Sequence, residues 1–114
     1  MNYRVMKCHE PETDKPIQLK QGERVIPGEQ ATYWQNWTHC TTPGGEQAGW
    51  VPAQILKETA EGTIVTEDYN AFELTVEMGQ VLELVKELNE WGWCRTTTGA
   101  AGWVPMENLV PETR

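Results

Sequence analysis

The amino-acid sequence predicts an all-β protein built from two similar small barrels, each of about five short strands. Three observations carry that expectation. The pentapeptide AGWVP stands at Ala48–Pro52 and again at Ala101–Pro105, 53 residues apart. Apolar residues fall in short runs, TIVTEDY, QVLELV, WGWCRTT and GWVP, rich in β-branched and aromatic side chains. Gly and Pro punctuate those runs at Pro27-Gly28, Pro43-Gly44-Gly45, Gly79 and Gly99. A chain of 114 residues makes one ordinary domain or two units near the lower limit for an independent core.

Aligning the two pentapeptides brings more of the chain into register. WTHCTT at Trp37–Thr42 matches WGWCRTT at Trp91–Thr97, so Trp37 and Cys40 correspond to Trp91 and Cys94. Upstream, IQLKQGERV matches LTVEMGQVL, pairing Ile17 with Leu74, Leu19 with Val76 and Gly22 with Gly79. Downstream, AQIL matches MENL. Gly22 to Trp37 spans 15 positions and Gly79 to Trp91 spans 12, a loop-sized difference. Constant order with slack in the gaps is the mark of one structural unit used twice. The units are expected at 1–57 and 61–111, joined by a linker near Lys57–Gly62.

Within each unit the central hairpin is the clearest element. Trp37–Thr42 leads through Pro43-Gly44-Gly45 into Gln47–Val51, and Trp91–Thr97 leads through Thr98-Gly99-Ala100 into Ala101–Val104. Strand alternation then turns Cys94 and Val104 inward and puts Trp91 and Trp93 together on the other face. The run FELTVEMGQVLELVKELN has some helical spacing, but Gly79 interrupts it and its Val and Thr residues favour strands. In each repeated string Gly allows close backbone approach, Val fills the core and Pro ends the strand. Cys40 and Cys94, at equivalent positions, are expected to be buried packing residues, reduced and unliganded.

Charge and cysteine usage narrow the function classes. The net charge of −8 repels a phosphate backbone, so no nucleic-acid partner is expected. By repeat the balance is uneven: residues 1–56 carry −1 and residues 57–114 carry −7. No run approaches the roughly 20 apolar residues of a membrane helix, and the start MNYRVMKCHE does not resemble a signal peptide. Three cysteines are too few for a disulfide scaffold, which points to a reducing cytoplasm, and the lack of a long apolar run to no membrane partner.

Chemistry-bearing residues are sparse. Cys8-His9-Glu10 and His39-Cys40 set thiols beside imidazoles, the raw material of a nucleophile–base pair or a metal site. Neighbours in a strand point to opposite faces, however, and no CxxC, HxxxH or HExxH spacing is present. The second repeat has Cys94 without any histidine. Neither catalysis nor a cofactor or metal is expected.

The order strand, EL-x-V-x-x-G, strand, W-x-x-C, hairpin, GWVP, short turn, strand resembles the Src-homology-3 (SH3) domain twice in tandem. More narrowly it is similar to the variant SH3 domains of bacterial proteins. The second repeat carries the resemblance best: EDYNAFELTVEMGQVLELV is similar to the family's opening motif and GWVPMENL to its closing one. The resemblance implies a non-catalytic module whose aromatic and proline groove holds extended, proline-rich peptides, with acids beside it that select a basic residue. It assigns Trp91 and Pro105 to the groove, with Tyr69 as the second Tyr of the opening motif and Trp93 flanking. Glu67, Asp68, Glu73 and Glu90 fall in or near the stretches of the acidic pocket. Glu67 stands where the family has its first Tyr, and Asn108 where the closing turn supplies another. In the first repeat Trp37 and Pro52 match, while Tyr33 and Trp34 lie in the longer loop and offer a secondary surface or packing between the units.

Three function classes follow. The leading one is an intracellular tandem module that binds a basic or proline-containing segment of a protein. The others are binding of cell-wall peptide or glycan, and a purely structural or oligomer-forming role.

Overall fold

The computed structural model describes residues 1–112, which form strands and two 3₁₀ turns, with no α-helix among the described residues. The first repeat contributes β1 (Asn2–Val5), β2 (Gln18–Leu19), β3 (Arg24–Gln30), β4 (Trp37–Thr41), β5 (Ala48–Pro52) and β6 (Leu56–Thr59). The second contributes β7 (Gly62–Val65), β8 (Tyr69–Asn70), β9 (Val81–Leu88), β10 (Trp91–Arg95), β11 (Ala101–Pro105) and β12 (Leu109–Pro111). AGWVP is the strand that closes each central hairpin, β5 and β11, and Pro52 and Pro105 lead into 3₁₀ turns at Ala53–Ile55 and Met106–Asn108. The all-β expectation and the two five-stranded sheets are therefore as the sequence reading has them.

The pairing of strands differs from a simple tandem. One sheet runs β11-β10-β9-β1-β12 and the other β5-β4-β3-β7-β6. Strand β1 thus lies between β9 and β12 of the second repeat, and β7 lies between β3 and β6 of the first. The reciprocity holds bond by bond. Gly22 N–H donates to the Val65 carbonyl at 2.8 Å, and Gly79 N–H donates to the Val5 carbonyl at 2.7 Å. Likewise Thr66 N–H bonds the Ile55 carbonyl, and Met6 N–H bonds the Asn108 carbonyl. Compact units consequently consist of Met1–Asp14 with Phe72–Arg114, the terminal unit, and of Lys15–Ala71, the central unit. They do not coincide with the expected spans 1–57 and 61–111.

The cause lies in the segment expected to be a linker. Instead of a linker, Leu56–Val65 is a tight hairpin: Thr59 pairs with Gly62, and only Ala60 and Glu61 lie between. Gly62 takes φ +124°, a conformation that favours glycine, and the Thr59 hydroxyl donates to its carbonyl at 2.7 Å. Two residues extend about 7 Å at most. Strand β7 therefore folds back on β6 and fills the first-strand place of the central sheet, leaving the corresponding place beside β9 and β12 for β1. Arg4 fastens β1 there through both nitrogens of a fork on Glu112, Nε to Oε1 at 2.9 Å and Nη2 to Oε2 at 2.6 Å.

Each unit closes around its own core. Val5, Leu74, Val76, Leu82, Cys94, Val104 and Leu109 form the terminal core. Ile17, Leu19, Val25, Cys40, Val51, Ile55 and Val65 form the central one. Val5 and Val65, both fully buried, are each supplied by the opposite repeat. The glycine of AGWVP is needed for close approach. A Cβ on Gly49 would stand 2.8 Å from Ile17 Cγ2, and one on Gly102 would stand 2.8 Å from Phe72 and 3.1 Å from the Leu74 backbone nitrogen.

The exchange is checked by NMR. Cross-strand NOEs are expected from Tyr3 to Leu82 and Pro111, its partners in β9 and β12. NOEs from Asn2–Val5 to Leu56–Thr59 instead would return β1 to its own repeat and refute the exchange.

Candidate functional site: an aromatic face in each unit

In the terminal unit Trp91 opens β10 and pairs across the ladder with Pro105, while Trp93 pairs with Trp103. The Trp93 and Trp103 rings meet edge-to-face, 5.4 Å apart at 75°. Alternation along β10 puts Trp91 and Trp93 on one face, both partly exposed, and sends Cys94 into the core with Val104.

The residue that completes this face was missed in the sequence reading. His9 packs its ring edge-on to Trp91, 5.5 Å away at 79°, and its Nε2 lies 2.7 Å from Glu73 Oε1. Its backbone is fixed by two bonds to Val76, at 3.0 and 2.9 Å. Val5 and Val65 are equivalent in the exchanged sheets, and His9 follows the first by four residues as Tyr69 follows the second. That offset was the available signal. It is easily passed over because VMKCHEPE offers no Tyr pair to match the opening motif.

Asn108, at the place of a family Tyr, is buried at 4% exposure, and its Nδ2 donates to the Cys8 carbonyl at 3.3 Å. Its observed contact is thus a brace for the segment that carries His9. Glu90 sits with Asn89 in the two-residue turn between Leu88 and Trp91, at φ +72° and +50° respectively. Both central residues at positive φ make a type I′ turn, where glycine is preferred at the second place. Glu90 therefore holds an acidic side chain beside Trp91 at a backbone cost of about 1 kcal/mol.

Tyr69, Glu67 and Asp68 belong to the central unit, not to the unit that holds Trp91. The Tyr69 hydroxyl donates to the Trp50 carbonyl at 3.1 Å, and Tyr69 pairs with Leu19. Asp68 accepts the Gln21 N–H at 2.7 Å, and Glu67 is exposed. In the same unit Trp37 pairs with Pro52, as Trp91 does with Pro105, but both are buried, Trp37 at 6% exposure. Tyr33 and Trp34 form an edge-to-face pair 4.7 Å apart in the β3–β4 loop, with Tyr33 well exposed. His39 leans on Trp50 at 5.1 Å. The terminal unit thus leaves Trp91 partly exposed to solvent, and the central unit buries the equivalent Trp37.

The thiols divide by burial. All three are free, with Cys8 exposed and Cys40 and Cys94 fully buried. Burial alone pushes the latter two up from 9.0 to about 11, the opposite of an activated thiolate. Among the described residues no group of three or more His, Cys, Asp or Glu side chains is placed to hold a metal. No helix of the described residues is long and apolar enough to cross a membrane.

A family model for the variant SH3 domain matches the chain twice, over residues 2–59 and 63–112. The chain belongs to the variant SH3 domain family, whose members are in general non-catalytic protein-interaction modules. No curated protein matches the chain. The two matched segments follow the sequence repeats, so each spans strands of both compact units.

Three outcomes are expected. Glu90→Gly should raise stability by about 1 kcal/mol, read from the denaturant midpoint, because glycine relieves the positive φ. A thiol reagent should label Cys8 at once under native conditions, and Cys40 and Cys94 only on unfolding. Because burial raises the folded-state value of both thiols, stability should be whole below pH 9 and decline as pH climbs from 9.0 toward about 11, where unfolded thiols ionise and buried ones do not. Rapid native labelling of either buried thiol would contradict this.

Proposed function

We propose that the protein is a non-catalytic binding module whose main ligand face lies on the terminal unit, centred on Trp91 with Trp93, Pro105 and His9. The observation that carries this reading is the partly exposed Trp91 ring, ladder-paired with Pro105 and backed by His9. Such a face suits an extended, proline-containing segment, whose restricted backbone loses little entropy on docking. A basic ligand residue fits the charge: the terminal unit carries five Lys/Arg against ten Asp/Glu. Arginine suits it better than lysine, because a planar guanidinium also stacks on an indole. Glu90, beside Trp91, and Glu73, behind His9, are the acids that would select it. The three free thiols favour a reducing compartment for this interaction.

The test is a titration of proline-flanked arginine peptides against the native chain and Trp91→Ala. Truncating the anchor should weaken binding by roughly 2 kcal/mol or more. Charge reversal at Glu90 should mainly slow association and weaken its salt dependence. Binding that survives Trp91→Ala unchanged would refute this site.

A further inference from the structure

We propose that His9 is a specificity-determining residue of the Trp91 face: its proton controls how strongly the face holds a cationic side chain. The inference rests on the peptide-binding reading above and deepens it. The family's Tyr position is filled differently in the two units. In the central unit Tyr69 directs its hydroxyl to the Trp50 carbonyl, a neutral bond within the scaffold. In the terminal unit the equivalent residue is an imidazole, and its partner is the carboxylate of Glu73, 2.7 Å away. The His9 and Glu73 side chains are only 17% and 27% exposed, so their charges are less screened than those of a surface pair.

The electrostatics follow from the two states of the ring. With His9 neutral, Nε2–H donates to Glu73, and the pair, which meets Trp91 through the His9 ring, carries one negative charge. A guanidinium or ammonium lying on that ring gains both the indole face and the carboxylate. With His9 protonated the pair is neutral, and its imidazolium competes directly for Glu73. A cationic ligand therefore favours the neutral ring, and by linkage its binding releases a proton. Imidazole is the side chain whose ordinary titration falls between about pH 5 and 8, where carboxylates stay ionised. The elements next to His9 carry Glu73, Glu77 and, in the turn before Trp91, Glu90; its own segment, Met6–Asp14, carries Lys7, Cys8, Glu10, Glu12 and Asp14, all exposed.

The probes are an acetylated peptide with one arginine between proline pairs and its citrulline twin, titrated calorimetrically at pH 5.5 and 8.0. The arginine peptide is expected to bind the native chain about tenfold more weakly at pH 5.5, and the citrulline twin equally at both. At pH 8.0, calorimetry in two buffers of different ionisation enthalpy reads no release, while near the ring's titration it reads release of a fractional proton from the native chain. His9→Gln should flatten the pH profile while keeping the native melting curve. Glu73→Gln should abolish the preference for arginine over citrulline. His39→Gln, altering the only other histidine, should leave the native profile intact. Arginine binding whose pH dependence persists in His9→Gln, or which shows no pH dependence and no proton release in the native chain, overturns this inference and leaves the peptide-binding reading standing. Failure of the arginine peptide to bind at any pH overturns both.

Discussion

The rest of the architecture depends on the two-residue connection Ala60-Glu61. Closing so short a turn costs little chain entropy, and it gives β6 and β7 a pairing that no separated strand could match on entropic grounds. Once that hairpin exists, the central sheet is complete with a strand from the second repeat. The sheet of the second repeat then lacks its first strand, and β1 supplies one with the same register and the same core valine. The exchange is an intramolecular form of domain swapping, in which identical roles are filled by equivalent segments from the other copy. Its geometry needs no special sequence in β1, only a chain in which the two copies are joined too closely to fold side by side.

The exchange also redistributes chemistry. By repeat, the charges are −1 and −7; by compact unit, they are −5 for the terminal unit and −3 for the central one. The acidic pair Glu67-Asp68 travels with Tyr69 into the central unit, and Lys7-Cys8-His9 takes the corresponding place in the terminal unit. The face around Trp91 therefore receives an imidazole where its own repeat would have provided a phenol. Each aromatic face is assembled from both repeats, so neither repeat alone contains a complete one.

Much of this was legible in the sequence, and the remainder was not for identifiable reasons. Strand identity, the central hairpins and the inward-facing Cys40, Cys94, Val51 and Val104 follow from alternation and from the repeat, because those are local properties of one stretch of chain. Trp91 and Pro105 could be assigned to one face because a single hairpin holds both. Strand partnership is not local. Tyr69 was expected beside Trp91 because sequence alignment is blind to which copy of a sheet a strand enters. The signal lay in the ten residues Leu56–Val65, which read as a linker because Lys57–Glu61 is polar. The count of residues between Thr59 and Gly62 was the better guide. Asn108 was assigned to a ligand surface by its alignment with a family Tyr, whereas its buried amide instead holds the Cys8 carbonyl.

Because of the exchange, a substitution acts on the unit its strand enters rather than on the repeat that encodes it. A change at His9 alters the face carried by Trp91, more than 80 residues later in the sequence, and a change at Tyr69 alters the unit that holds Trp37 and Trp50. Two copies with the same plan thereby present different aromatic faces through their first segments. The shared core residues, the two AGWVP strands and the 3₁₀ turns hold both sheets to one geometry. The segments that follow β1 and β7 bring different side chains to their units: an imidazole paired with a carboxylate in one, and a phenol bonded to a backbone carbonyl in the other.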